Sequence, residues 1–402
     1  MKKKKIAVIG SGISGISTSF LLSQDHEVYL FEKNNYLGGH TRTKTLKEKE
    51  ISYNIDTGFI VYNNKNYQDL IKFFDILNVK TQNSNMSFSI SIKNIDFEYG
   101  SSLNALFARK KNIYSFTFWY LIKDIIKLYN QCKKSSSLKN IEKYTIEDFL
   151  IKNNYSKLIQ DLHIYPMISS IWSCDRENVK KFPLISFINF FNNHRLFNFT
   201  NRPQWRFVEN GGREYINKII SKNLFKYELN KTVKKILRQK DKIIIIFDNN
   251  EKFFADKIIL ATHADQALKI LDKPSKDEIK ILSKFKYSIN QAYLHSDENF
   301  MPRRKAVWSS WNFISNNYDE HSFSLTYWLN LLQNLNIEKN IFLTLNPYHK
   351  ISEDQIYKKV YFTHPTYDKE TLKSQKELHL LQNKKNILFC GSYFGYGFHE
   401  DG

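Results

Sequence analysis

The chain has 402 residues, 42% hydrophobic and 25% charged, with a formal net charge of +20. Those values exclude a small module and a disordered chain, and they predict two structural domains or one large two-lobed enzyme. The positive excess reads either as attraction to an anionic partner or as the coding bias of an AT-rich genome. The lysines are spread rather than striped, and no nucleic-acid-binding motif accompanies them.

In chain order, Lys2 to Lys5 precede an apolar stretch from Ile6 to Leu22 that superficially resembles a secretion signal. Gly10, Gly12 and Gly15 interrupt it, and no small-residue cleavage site follows, so the stretch is read as a strand and a helix of the mature fold. The next longest apolar run, Ile113 to Ile122, is too short to cross a bilayer. Cys132, Cys174 and Cys390 are far apart and odd in number, which suits a reducing compartment. A soluble cytoplasmic protein is expected, with contact at the inner membrane surface left open.

Ile6 to Ile9 forms a short buried strand, GSGISG (10 to 15) follows at once, and a helix continues to Leu22. His26 to Phe31 gives a second strand ending at Glu32. In this β-turn-α-β order Gly10 permits the tight turn, Gly12 admits a pyrophosphate and Gly15 lets helix pack on strand. The helix N-terminus offers N–H groups to phosphate, and Glu32 stands where a ribose-binding acid belongs. Ser14 and Lys33 join these as cofactor-binding candidates. The glycine pair Gly38 and Gly39 in EKNNYLGGHTRT then resembles FAD enzymes of the glutathione-reductase and amine-oxidase type. No second GxGxxG follows a strand, which suggests that electrons come from the substrate rather than from a nicotinamide.

Further on, Tyr67 to Leu77 has helical spacing, Met86 to Ile92 alternates as a strand, and Tyr114 to Tyr129 gives an amphipathic helix. That helix carries Phe118, Leu121, Ile122, Ile125 and Leu128 along one side; its aromatic density also keeps a membrane-binding reading open. Lys133 to Asn140 reads as a surface loop. Strands are expected at Thr232 to Leu237, Ile243 to Phe247, Lys252 to Phe254 and Lys257 to Ala261, with a turn at Asp248 to Asn250. Residues 257 to 271 pass from strand to helix, and Asn386 to Cys390 is a last strand opening onto GSYFGYGFHEDG. The fold class is therefore α/β: a Rossmann-type FAD-binding domain (1–66, 205–270 and 385–402) with an inserted α+β substrate domain (67–204 and 271–384).

The whole pattern resembles the FAD-dependent amine-oxidase-like flavoproteins of bacteria, often called predicted NAD/FAD-binding proteins, whose genes commonly lie near cyclopropane-fatty-acyl-phospholipid synthases. The matching blocks run nearly end to end, among them GSGISG, DTGFIVYN (56 to 63), IWSC (171 to 174), RPQWRFVENGGREYI (202 to 216), LATHADQAL (260 to 268), AVWSSWNF (306 to 313) and the terminal FCGSYFGYGFHEDG. The resemblance implies non-covalent FAD, approached by Gly38, Gly39, the central GG segment and Val233, with Gly391 and Gly397 against flavin and pyrophosphate. His40, Thr41, Asp56, Thr57, Gly58, Ala261 and Thr262 complete the cofactor-binding candidates. Larger amine oxidases have Arg directly after the glycine pair; here His40 stands there and Arg42 is two later, so a phosphate contact passes to Arg42. Some relatives look like desaturases of methyl-branched acyl chains on the route to furan fatty acids. In relatives the chain continues after EDG into a helix facing the flavin, whereas here it stops at Gly402, so a fragment or an incomplete flavin site is expected.

The expected chemistry is hydride removal from a C–H bond of an apolar, lipid acyl substrate, with flavin N5 as acceptor. An amine oxidase, a flavin-dependent isomerase and a flavin-binding accessory protein of a lipid methyltransferase are the alternatives. No metal site is expected, and His163, His194, His263 and His295 read as structural. Tyr393, Tyr396, His399 and Glu400 are the weak catalytic candidates, and the cluster of His399, Glu400 and Asp401 also fits capping and loop hydrogen bonds. Trp308, Trp311, Tyr327 and Trp328 are candidates to line a substrate tunnel, or else core.

Overall fold

The computed structural model describes residues 3–134, 141–240, 242–317 and 323–402. Its first layer starts from a short apolar strand. Strand β1 (Lys5–Ile9) has Ala7 and Val8 fully buried, and it is followed by helix α1 (Ile13–Leu22) and strand β2 (Glu27–Phe31). Fully burying one such aliphatic side chain contributes about 1.5–3 kcal/mol, enough for a five-residue strand to hold the centre of a sheet.

That sheet is parallel, in the order 226–228, β2, β1, 257–260, 387–389. Its strands thus come from the start, middle and end of the chain, and their carboxyl ends open on one edge. A three-stranded antiparallel sheet (233–238, 243–247, 252–255) packs beside it, sharing a core with Phe31. Asn250, in the expected turn, has φ 64°.

The second layer is a seven-stranded mixed sheet in the order 356–366, 286–295, 342–345, 323–328, 311–315, 88–92, 97–100. One face of it is covered by helices that include Phe116–Lys133, Tyr165–Trp172 and Leu184–Asn193, around a core of Phe118, Ile125, Trp172 and Phe190. The helix from Phe116 buries Phe118, Leu121, Ile125 and Leu128 as its spacing predicts. The loop expected at Lys133 to Asn140 falls mostly on residues outside those described, and Lys133 itself ends that helix.

The strand 205–208 pairs with 62–63 and with 81–84, so this small sheet straddles the expected boundary between 66 and 67. A hairpin, β3 (Thr43–Glu48) and β4 (Ile51–Asp56), leads from the glycine pair to the turn at Asp56.

Candidate functional site

The three fingerprint glycines do three different things. A Cβ on Gly15 would stand 1.8 Å from the Gly10 carbonyl oxygen, and one on Gly10 (φ +97°) would stand 2.7 Å from that of Ala261. Both glycines are demanded by the protein's own packing. A Cβ on Gly12 would meet nothing within 4 Å, and its φ of −61° suits any residue. Open space therefore lies in front of Gly12, at the start of a helix with no side-chain cap and no acid in its first turn. Other helices have such caps: Thr145 with Asp148, and Ser275 with Glu278, close both halves of a capping box. The first-turn N–H groups of α1 and the adjoining space suit a phosphate.

Loops from the rest of the chain wall this space. Gly38 N–H donates to the Ser11 carbonyl (3.0 Å), and a Cβ on Gly39 would come within 3.0 Å of Gly12 Cα. Glu32 is 5% exposed, and its four acceptor positions are filled. Oε2 takes Ser11 N–H (2.9 Å) and Ser11 Oγ–H (2.7 Å); Oε1 takes Asn34 N–H (2.9 Å) and Asn34 Nδ2 (2.7 Å). Glu32 thus ties the glycine loop to the end of β2, and a ribose would have to exchange for the Ser11 or Asn34 side chain. Val233 packs in one core with Phe31 and Phe247, next to this end of β2. Lys33 is exposed.

The cradle meets the seven-stranded sheet through rings. His40 stacks on Phe362 (5.1 Å) and lies 5.5 Å from His364 and 6.4 Å from His263, which stacks on Tyr287 at 4.2 Å. His399 stacks on Phe59 at 3.7 Å, and its Nε2 is 3.0 Å from Tyr215 Oη and 3.2 Å from Thr41 Oγ1. Desolvation holds all four imidazoles well below their ordinary value, His40 and His263 to about 4, His364 and His399 to about 3. They are neutral at pH 7 and too weakly basic to hold a proton there. His263, expected as structural, belongs to this junction.

The comparisons with known proteins follow this geometry. A family model described as an NAD(P)-binding Rossmann-like domain matches residues 8–77. The 4,4'-diapophytoene desaturase (4,4'-diaponeurosporene-forming) of Staphylococcus aureus is 38% identical over 79 residues, 17% of this chain. The match spans only 15% of the length of that relative. Among solved structures, a CLA-producing fatty acid isomerase from P. acnes superposes with TM-score 0.68 at 13% identity, covering 100% of this chain and 96% of the other. Cyclohexylamine oxidase from Brevibacterium oxydans IH-35A superposes with TM-score 0.69 at 14% identity, covering 99% and 96%. The chain therefore shares its fold with these two enzymes over nearly its whole length.

In this fold the remaining candidate residues take distinct places. Ser14 is buried in the first turn of α1, and Gly402 lies against Ile13 and Ser14. Arg42 lies over the Tyr36 ring (4.4 Å) and donates to its hydroxyl, so a phosphate contact would mean leaving that ring. Thr57 N–H donates to the Arg42 carbonyl (2.8 Å), and a Cβ on Gly58 would be 2.0 Å from the His40 carbonyl oxygen. The Asp56 carboxylate accepts from Thr43 Oγ1, Gly212 N–H and Gln333 Nε2, which ties the end of β4 to β3, to the turn at Gly211 and Gly212 and to Gln333. Burial raises its pKa to about 7 against those hydrogen bonds. Ala261, Thr262 and Gly391 stand together at the carboxyl ends of the parallel strands, where a Cβ on Gly391 would be 3.5 Å from the Thr262 carbonyl oxygen. Gly397 lies farther along the terminal loop, beside Tyr367 Oη.

Four expectations are corrected. Tyr393, placed by sequence beside the flavin, is 2% exposed in the core against Phe285, because the positive φ of Gly391 turns the chain inward. Tyr396 packs toward Phe190 of the helical layer. The Glu400 carboxylate accepts from Asp69 N–H and Leu70 N–H, both at 2.9 Å, and so caps helix Gln68–Ile76 rather than acting as a base. The four tunnel aromatics divide by strand alternation: Trp311 contacts Tyr327 (5.0 Å) on the face shared with Leu325 and Phe362, whereas Trp308 contacts Trp328 (5.4 Å) on the opposite face. Sequence reading did not single out Phe59, Tyr215, Tyr287, Phe362 or His364: the first two follow Gly58 and Gly212 inside blocks already noted, and the other three lie on strands with no glycine to mark them.

Among the described residues no group of three or more His, Cys, Asp or Glu is arranged to hold a metal, and no helix is long and apolar enough to cross a membrane.

Proposed function

We propose that the chain is an FAD-dependent oxidoreductase that removes hydride from a C–H bond of an apolar acyl substrate. The observation that carries this reading is the open space before Gly12, at an uncapped helix start between two glycines that packing itself requires. FAD bound there supplies a two-electron acceptor. The chain's own residues do the rest: the start of α1 and the loop at Gly38 and Gly39 hold the pyrophosphate, and Glu32 keeps the glycine loop fixed.

The sheet face toward the junction, where Leu325, Tyr327, Leu343 and Phe362 pack, is apolar and so suits an acyl chain better than an ionic substrate. Trp311 Nε1 and Trp172 Nε1 are buried and find no acceptor among the described residues. Such N–H donors suit the carbonyl or carboxylate of an acyl group and give nothing to an ammonium. An isomerase reading, in which hydride returns to the same substrate, is favoured by the likeness to a fatty acid isomerase.

The test is the visible spectrum of the purified protein, followed by anaerobic mixing with fatty acids, phospholipids and simple amines. Released FAD and bleaching by an acyl lipid are expected. Double-bond migration without net bleaching would establish the isomerase, and bleaching by amines alone the amine oxidase. A flavin that stays oxidised with every lipid would leave an accessory protein, and a protein that takes up no FAD would sink all four.

A further inference from the structure

The most exposed apolar side chains of the molecule gather far from the cradle. Leu103 is 76% exposed, Tyr114 84% and Phe116 93%, and Ile113, Trp119 and Tyr120 are each nearly half exposed. Phe116, Trp119, Tyr120 and Lys123 follow one another at the i, i+3, i+4, i+7 spacing of one helix face. Together with Thr117 and Leu158 they line a shallow hollow of about 530 Å³. The opposite side of the helix is already buried in the core, so core packing does not account for this one.

We propose that this face docks on the surface of an anionic phospholipid bilayer. Its charge is complementary to such a surface: residues 101–134 contain seven Lys or Arg and one acid, Asp124. Asp124 is buried and accepts from Ser156 Oγ, while Lys110, Lys111, Lys123 and Lys127 are exposed around the aromatics. Trp, Tyr and Phe backed by lysines is the composition of an interfacial helix, with rings at headgroup depth and ammonium groups among lipid phosphates.

Entering the interface leaves few polar groups unsatisfied. Trp119 Nε1 donates to the Ile113 carbonyl, and the N–H groups of Ile113, Ser115 and Trp119 donate to Lys110, Asn112 and Ser115 carbonyls. A second copy of the chain fits the face poorly, since a self-complementary contact would set these lysines against each other.

The experiment is flotation of the full chain with vesicles of phosphatidylcholine alone or mixed equally with phosphatidylglycerol. Tyr114→Glu/Phe116→Glu is the test variant, because side chains this exposed can change without disturbing the core. The wild type is expected to float with the anionic vesicles, and the variant to lose about tenfold or more of its partition. Three results would overturn the proposal: no flotation of the wild type, equal flotation of the variant through lysines elsewhere on this +20 chain, or a concentration-dependent dimer that the variant splits. Flotation is read without turnover, so this inference and the oxidoreductase reading can fail separately.

Discussion

The cradle at Gly10 to Gly15 and the terminal loop at Gly391 to Gly402 are both glycine-rich, and both stand at carboxyl ends of the same parallel sheet. They differ in what fixes their side chains. In the cradle the constraints are local: a turn, a helix start and a strand end within twenty-three residues. In the terminal loop Asp401 is held locally by Phe398 N–H, but the catalytic candidates are placed by something distant. His399 is held by Phe59, Thr41 and Tyr215, Glu400 by the start of helix Gln68–Ile76, and Tyr393 by Phe285. A local motif can be read along the chain; a loop whose partners lie hundreds of residues away cannot.

The sharpest way to break this comparison is inside the cradle. Gly15→Ala is expected to cost above about 3 kcal/mol, because its Cβ would meet backbone that has nowhere to move. Gly12→Ala should leave the stability of the cofactor-free protein within about 0.5 kcal/mol. The same change should weaken FAD binding by more than about tenfold. Thermal unfolding and FAD titration of both variants check the contrast, and equal destabilisation would refute the assignment of that space to a ligand.

A somewhat smaller effect concerns the junction. Four imidazoles of the junction, and His163, His194 and His295 elsewhere in the core, have folded pKa values depressed to about 3–4. Their contribution is fully present above the unfolded value of about 6.5 and is lost as pH falls from there toward 4, where the unfolded chain takes up protons that the folded one refuses. Asp56 and Asp401, raised to about 7 and about 6, act in the opposite sense: their contribution is present below the unfolded carboxylate value and lost as pH rises through the folded ones. The histidines outnumber them, so the unfolding midpoint should drop by roughly 10 °C or more between pH 7 and pH 4. A midpoint flat over that range would mean that these imidazoles, the junction's among them, are wetter than described.

The smallest expected effect tests the terminal loop. Glu400→Ala removes a helix cap and should cost about 1 kcal/mol. The rate of flavin reduction by substrate should stay unchanged. A large loss of that rate with normal stability would restore Glu400 as a catalytic group.

The β1–α1–β2 unit, the amphipathic helix at Phe116–Lys133 and the strands from 233 to 260 were legible because consecutive residues carry a short apolar run, an alternation or a helical spacing. The glycine pair was legible because close backbone approach admits only glycine. The role of Glu32 was half legible: its position was clear, but not that Ser11 and Asn34 already fill its oxygens. Tertiary structure alone decided the ring junction of His40, Phe362, His364 and His399, the two faces of the Trp and Tyr residues, and the capping by Glu400. Those outcomes depend on which strands become neighbours, and a ring or carboxylate carries no local mark of the surface it will meet.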